Sequence, residues 1–235
     1  MLFHRVVDIA RQLFRIGSMT ARSQRSRMGF VLAGGNSARM GADKALLEFG
    51  GQTLLERAVA AMCAVSDQVA IVGEPAKYAK YAVSEGGAST CRSVVADIFP
   101  GCGPLGGIHA ALGHSTAQWN LMLAVDMPFV TSELLAFLFE AAENAAEDED
   151  KDKDSDVIVT VPRAGQRLQP LCAVYRREFA MAAEQALRAG KYKVDAAFSG
   201  VSVRVVEESQ LAAAGFFERN FFNVNTPEDR LAVKG

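Results

Sequence analysis

Four apolar residues, Phe30-Val31-Leu32-Ala33, run straight into a loop in which Gly34, Gly35 and Gly41 bracket Ser37, Arg39, Asp43 and Lys44. The apolar run reads as a buried first strand. Glycines let the backbone turn tightly and bring its N–H groups close to an anion, while arginine and lysine neutralise phosphate charge. A strand opening into a glycine-rich basic loop therefore points to a nucleoside triphosphate site at the strand's C-terminal end. Neither common phosphate loop is present. Gly41 is followed by Ala42, Asp43 and Lys44 rather than by Lys and Ser/Thr, and the dinucleotide G-x-G-x-x-G spacing is absent.

Strand, loop and helix signals alternate through the rest of the chain. Gln52–Ala64 carries Leu54, Leu55, Ala58, Val59 and Met62 at helical spacing, Val69–Val72 is strand-like, and a helix candidate follows near Pro75–Val83. Glu85–Ser89 reads as a turn, Val94-Val95 lead to Asp97, and a glycine-rich turn precedes a small-residue helix over Ile108–Leu112. Asn120–Val125 reads as a central strand ending at Asp126, and Thr131 or Ser132 caps a helix through Ala142. Val157–Val161, the extended segment Leu168–Tyr175, a helix over Arg177–Ala189 and the strand Val201–Val206 follow, and Thr226-Pro227-Glu228-Asp229 is a helix start. Such alternation predicts an α/β fold, a doubly wound, mostly parallel sheet of Rossmann-like, three-layer architecture.

Asp126 stands where doubly wound sheets place their ligand crevice, at the end of a core strand. A carboxylate there suits Mg²⁺, which prefers carboxylate, water and phosphate oxygens. Lys44 offers a compact charge and Arg39 a bidentate fork for a triphosphate whose negative charge moves onto a leaving pyrophosphate.

The segment L-A-G-G-x-S-x-R-M-G-x-D-K-A-L closely resembles the signature loop of the molybdenum cofactor guanylyltransferases, and more broadly that of nucleotidyltransferases of the nucleotide-diphosphosugar type. The resemblance runs from about Met28 to Leu231 and includes V-A-D-x-x-P-G-x-G-P-L-G-G-I around Asp97, D-x-P at Asp126 and N-x-N-T-P-E from Asn223. It implies that Asp126 binds Mg²⁺ and touches the nucleotide phosphates. Leu32, Ala33, Gly34, Gly35, Lys44 and Asp97 then bind the nucleotide, and Gln169, Asn223 and Asn225 lie towards the pterin. Family members often have Asn in a V-N-A-N-like sequence where this chain reads Val72-Gly73-Glu74, so that contact is not carried over.

The implied reaction is transfer of GMP from GTP to molybdenum–molybdopterin, giving the guanine dinucleotide and pyrophosphate. Such a transfer needs no protein nucleophile, which agrees with a chain that shows no Ser-His-Asp or Cys-His arrangement. Alternatives are the same fold using CTP, a sugar-1-phosphate nucleotidyltransferase, and a non-catalytic molybdopterin carrier. CTP-using relatives tend to read L-A-A-G, so Gly34-Gly35 favours guanine. Expected partners include molybdenum-insertion and molybdoenzyme-maturation proteins.

Composition narrows the setting. A net charge of −2 gives no nucleic-acid footprint, so positive charge must act locally. Cys63, Cys91, Cys102 and Cys172 form no C-x-x-C pair, and no apolar run approaches the ~18–20 residues of a bilayer span. A cytoplasmic protein without nucleic-acid or membrane partners is expected. Residues 1–27 hold six arginines against the single acid Asp8 and read as an extension outside the fold, which is placed at 28–235. The run 143–156, with eight acids and two lysines, reads as a solvated loop or helix end.

Overall fold

The computed structural model describes residues 26–34, 43–82, 91–147, 157–224 and 229. Its centre is β1 (Arg27–Leu32), flanked in parallel by β4 (Gln68–Val72) and β6 (Trp119–Ala124). β5 (Cys91–Val95) extends the parallel run beyond β4. On the other side, β9 (Cys172–Tyr175) pairs antiparallel with β6 and with β7 (Val159–Ala164), and β10 (Val203–Val206) runs parallel to β7. The order is β10-β7-β9-β6-β1-β4-β5, with the short β8 (Arg167–Leu168) turning back onto β7. A separate ribbon joins β2 (Glu48–Phe49) and β3 (Gln52–Thr53). The sheet is thus mostly parallel, as its alternating sequence implies.

Period-two alternation sends each central strand's side chains to both faces. Val31, Val69, Ile71, Leu121 and Leu123 enter one core with Leu54, Leu55 and Met62 of α1 (Leu54–Cys63) and Leu134, Leu135 and Leu138 of α4 (Ser132–Glu147). Phe30, Leu32, Ala70, Val72 and Met122 enter the other with Ile108 and Leu112 of α3 (Pro104–His114) and Phe179 and Ala183 of α5 (Phe179–Arg188). These two cores make the three layers.

Local chemistry starts the helices. Thr53 and Glu56 exchange side-chain and backbone hydrogen bonds in a capping box ahead of α1. Thr131 Oγ1 accepts from Leu134 N at 3.4 Å at the start of α4. α3 begins at Pro104, earlier than the apolar pattern alone suggests, after Gly103 at φ 70°.

Several expectations are corrected. The Leu168–Tyr175 segment is two strands with a turn between them, because Gln169 N donates to Pro162 O and Cys172 N to Gln169 O. The Pro75–Val83 helix candidate is a short α2 (Pro75–Tyr78) followed by a 3-10 turn, Ala79–Tyr81. α6 (Glu208–Ala213) and the 3-10 turns Val194–Phe198 and Glu218–Phe221 carry no clear periodic signal.

Arg27 opens β1, Ser26 O accepts from Trp119 N, and the Arg27 guanidinium forks onto Glu143 at 2.7 and 2.8 Å. Glu143, drawn from the acidic run, is therefore a buried ion-pair partner on α4 rather than a solvated charge, and Arg27 also stacks over Phe139. The turn at 85–89, residues 1–25 and the helix start at Thr226 lie outside the described residues, apart from Asp229.

Candidate functional site

β1, β4, β5, β6 and β7 all point the same way, so their C-terminal ends share one edge of the sheet. The chain leaves β1 towards β4 on one side and reaches β6 on the other. That is a topological switch point, where open α/β sheets bind ligands. Leu32-Ala33-Gly34, Gly73, Asp97 and Asp126 all lie at or just beyond the ends of these strands.

The centre of the edge is an ion pair. Lys44 Nζ donates to Asp126 Oδ2 at 2.7 Å, with side chains 17% and 21% exposed. Lys44 is placed by the 3-10 turn Lys44–Leu46, which Asp43 caps by accepting from Ala45 N through its carboxylate. Asp126 is placed by backbone bonds around it: Val125 N donates to Leu32 O, and Val224 N donates to Asp126 O at 2.9 Å. The last of these pins the Asn223-Val224 segment beside Asp126. The described start of the C-terminal asparagine block, Asn223-Val224, and the D-x-P turn are thus neighbours.

Asp126 Oδ1 is buried and has no hydrogen-bond partner among the described residues. A buried carboxylate oxygen without a partner costs free energy, so its presence fits a hard cation. Among the described residues no group of three or more His, Cys, Asp or Glu is placed to hold a metal. A cation here would rest on Asp126 and on ligand and water oxygens, which is how Mg²⁺ commonly sits with phosphates.

The other expected residues spread along the same edge. Asp97 follows β5 and accepts from Phe99 N through Oδ1 at 2.8 Å. Its carboxylate lies over the first turn of α3, where a Cβ on Gly106 would meet Oδ1 at 2.9 Å. The helix N-terminus favours a negative group there. β5 lies three strand positions from β6, about 14 Å at ~4.8 Å per strand, so Asp97 and Asp126 stand at opposite ends of a nucleotide-sized span.

Ala33 N and Gly34 N both donate to Val72 O, at 2.9 and 3.1 Å. These two backbone donors are already committed to binding the β1 exit to β4. A Cβ at Gly34 would stand 3.6 Å from Gly73 Cα, an ordinary contact, so packing within the protein does not require glycine there. On the far side of Asp126, Gln169 Nε2 donates to Ala164 O and Asn223 Nδ2 to Phe221 O. Gly35, Arg39 and Asn225 lie outside the described residues.

Tyr78 is a site residue that no sequence motif pointed to. Its ring packs against Gly73, where a Cβ would stand 2.6 Å from Cε2, and its hydroxyl lies 2.9 and 3.0 Å from the Asp43 carboxylate and 3.1 Å from Ala33 O.

The MobA-like NTP transferase domain model matches residues 29–205. A probable molybdenum cofactor guanylyltransferase of Pelotomaculum thermopropionicum is 41% identical over 88% of this chain and 91% of its own. One from Methanosarcina acetivorans is 34% identical over 87% and 88%. Among solved structures, molybdopterin-guanine dinucleotide biosynthesis protein A of Archaeoglobus fulgidus superposes with a TM-score of 0.70 at 26% identity, covering 88% of this chain and 96% of that one. A 2-C-methyl-D-erythritol 4-phosphate cytidylyltransferase of Thermus thermophilus shares the fold, with a TM-score of 0.57 at 19% identity over 87% and 96%.

Proposed function

The chain belongs to the MobA-like NTP transferase family and is a nucleotidyltransferase, and from that premise we propose that it transfers GMP from GTP to molybdenum–molybdopterin with the help of Mg²⁺. The observation that carries the reading is the Lys44–Asp126 pair at the switch point, with Asp126 Oδ1 buried and unpartnered among the described residues.

The reaction forms a bond between the α-phosphorus of GTP and a terminal phosphate oxygen of the pterin, and breaks the bond to the β-phosphate bridging oxygen. Pyrophosphate leaves with that electron pair. Asp126 would hold the cation, and Mg²⁺ bound there would neutralise charge on the phosphate oxygens. Lys44, fixed by the Asp43-capped turn, brings its ammonium to the same oxygens as charge moves to the leaving group. Arg39, in the glycine-rich segment, adds a forked donor to the triphosphate.

Asp97 and the exit of β1 hold the nucleoside end. The room left at Gly34 supports close approach by the base, and the Gly34-Gly35 pair supports guanine over cytosine. The pterin lies on the Gln169 and Asn223 side of Asp126, so the α-phosphate is held between the two halves. Orientation of both phosphates is the main contribution asked of the chain. A cytoplasmic setting accords with such a biosynthetic step.

The test is purified protein with Mg²⁺, molybdopterin or its molybdenum form, and radiolabelled GTP or CTP offered separately. Guanine dinucleotide and pyrophosphate from GTP, abolished by chelator and restored by Mg²⁺, is the expected result. Product from CTP alone would overturn the base assignment. No product from either, with the acceptor verified, would overturn the reaction.

A further inference from the structure

Resting on the reading of this edge as the triphosphate site, we propose that Tyr78 is a positioning residue for nucleotidyl transfer, its hydroxyl fixing Asp43 and through it the Lys44 ammonium. The connection is continuous in space though scattered in sequence. The Tyr78 hydroxyl meets Asp43 Oδ2 at 2.9 Å; Asp43 Oδ1 accepts from Ala45 N at 3.1 Å; Asp43 O accepts from Leu46 N at 3.0 Å. Those bonds shape the turn that carries Lys44, and Lys44 Nζ reaches Asp126 Oδ2 at 2.7 Å. A hydroxyl placed just beyond β4 is thereby tied to a carboxylate at the end of β6.

A phenol has one proton to donate. The Asp43 carboxylate is the stronger acceptor because the bond is charge-assisted, and Ala33 O, at 3.1 Å, shares the same proton at longer range. Ala33 and Asp43 bound the glycine-rich segment of the sequence, so one hydroxyl contacts the residues on both sides of it. Burial and the neighbouring carboxylate both push the phenol's ionisation upward, which keeps it a neutral donor at working pH.

The ring and the hydroxyl have separable tasks. The side chain is 2% exposed and belongs to the core that α1 and α4 cover, and its ring fills the space above Gly73. Phenylalanine would fill that space equally. What phenylalanine lacks is the one group that orients Asp43. A shift of about 1 Å in a charge-stabilising group can cost on the order of a hundredfold in rate, so the hydroxyl's effect should appear in turnover rather than in folding.

The experiment compares full-length wild type, Tyr78→Phe, Asp43→Ala and the double variant. Each is read for kcat and KM with GTP and the molybdopterin acceptor, for binding of Mg²⁺–GTP and Mg²⁺–CTP by titration, and for thermal midpoint. Tyr78→Phe should lose about ten- to a hundredfold in kcat, with KM for the acceptor within about twofold and the midpoint lowered by no more than about 10 °C, so that the protein stays folded at the assay temperature. In the Asp43→Ala background the same change should cost less than about twofold, because its partner is already gone. Tyr78→Phe turning over within about twofold of an active wild type overturns the proposal. So does an equal loss in both backgrounds, which would mark a packing effect independent of Asp43. A wild type that binds neither nucleotide and makes no product would instead overturn the functional reading, and this proposal with it.

Discussion

Replacing Asp126 by Asn should separate function from stability more sharply than any other change in the chain. Asparagine keeps a carbonyl oxygen for the Lys44 ammonium and puts an uncharged amide where the buried, unpartnered Oδ1 stood. The charge-assisted bond to Lys44, on side chains 17% and 21% exposed, contributes roughly 1–2 kcal/mol. An amide at that position is also without a partner, but burying a charged oxygen there costs roughly 1–2 kcal/mol more than burying a neutral amide. These effects oppose each other, so the ligand-free variant should differ from wild type by no more than about 1 kcal/mol. For a chain of this size that is about 2–4 °C in thermal midpoint, in either direction.

Activity should respond differently. Losing the carboxylate removes the proposed cation ligand and the partner that aims Lys44, so kcat/KM should fall by at least about 10³, or ~4 kcal/mol. Scanning calorimetry supplies a check independent of turnover. Saturating Mg²⁺–GTP at about 100 Kd should stabilise wild type by about 2.7 kcal/mol, roughly 5–11 °C, and the variant by less than half of that. Turnover within about tenfold of wild type would refute the assignment of Asp126. A midpoint lowered by more than about 10 °C would refute the claim that Oδ1 is held at a cost to the ligand-free fold.

Glu143→Ala should cost about 1–3 kcal/mol, because it leaves the half-buried Arg27 guanidinium without its forked carboxylate; urea unfolding should show this while turnover at 25 °C stays near wild type. The Cys172 thiol should resist alkylation in the folded protein at pH 8 while the half-buried Cys63 and Cys102 react, a difference mass spectrometry resolves. Burial pushes Cys172 up from 9.0 to about 12. Its folded-state value is raised, so its contribution is fully present below pH 9 and is lost as pH rises towards about 12. The stability gap between wild type and Cys172→Ala, followed by urea unfolding, should therefore narrow as pH rises from 9 towards 11.

Local signals carried much of the fold. The runs Phe30–Ala33, Val69–Val72 and Asn120–Val125 are apolar because both faces of these strands are covered, and each overlaps a parallel strand. Asp126 was legible because a carboxylate directly after such a run must sit at the strand's C-terminal end, where a parallel sheet opens its ligand crevice. β9 was not legible as a reversed strand: Cys172-Ala173-Val174-Tyr175 is equally apolar in either direction, and its sense follows from the tight return at Gly165-Gln166 between β7 and β8.

Glu143 shows the limit from the other side. Within an acidic run it has the composition of a solvated charge, yet Arg27, 116 positions away, draws it into the protein. Tyr78 was hidden for the same reason, since Asp43 and Ala33 lie 35 and 45 positions from it.

The linear order of residues is enough to specify the elements, their alternation and the groups with phosphate and metal chemistry, because strand burial and loop composition are properties of neighbouring residues. Which of those groups meet is settled only when the sheet assembles. The Lys44–Asp126 pair, the Val224 bond to Asp126 and the Tyr78–Asp43 contact each join segments that share no local pattern. They arise because parallel strands return their C-terminal ends to one edge, and that return is a property of the whole sheet.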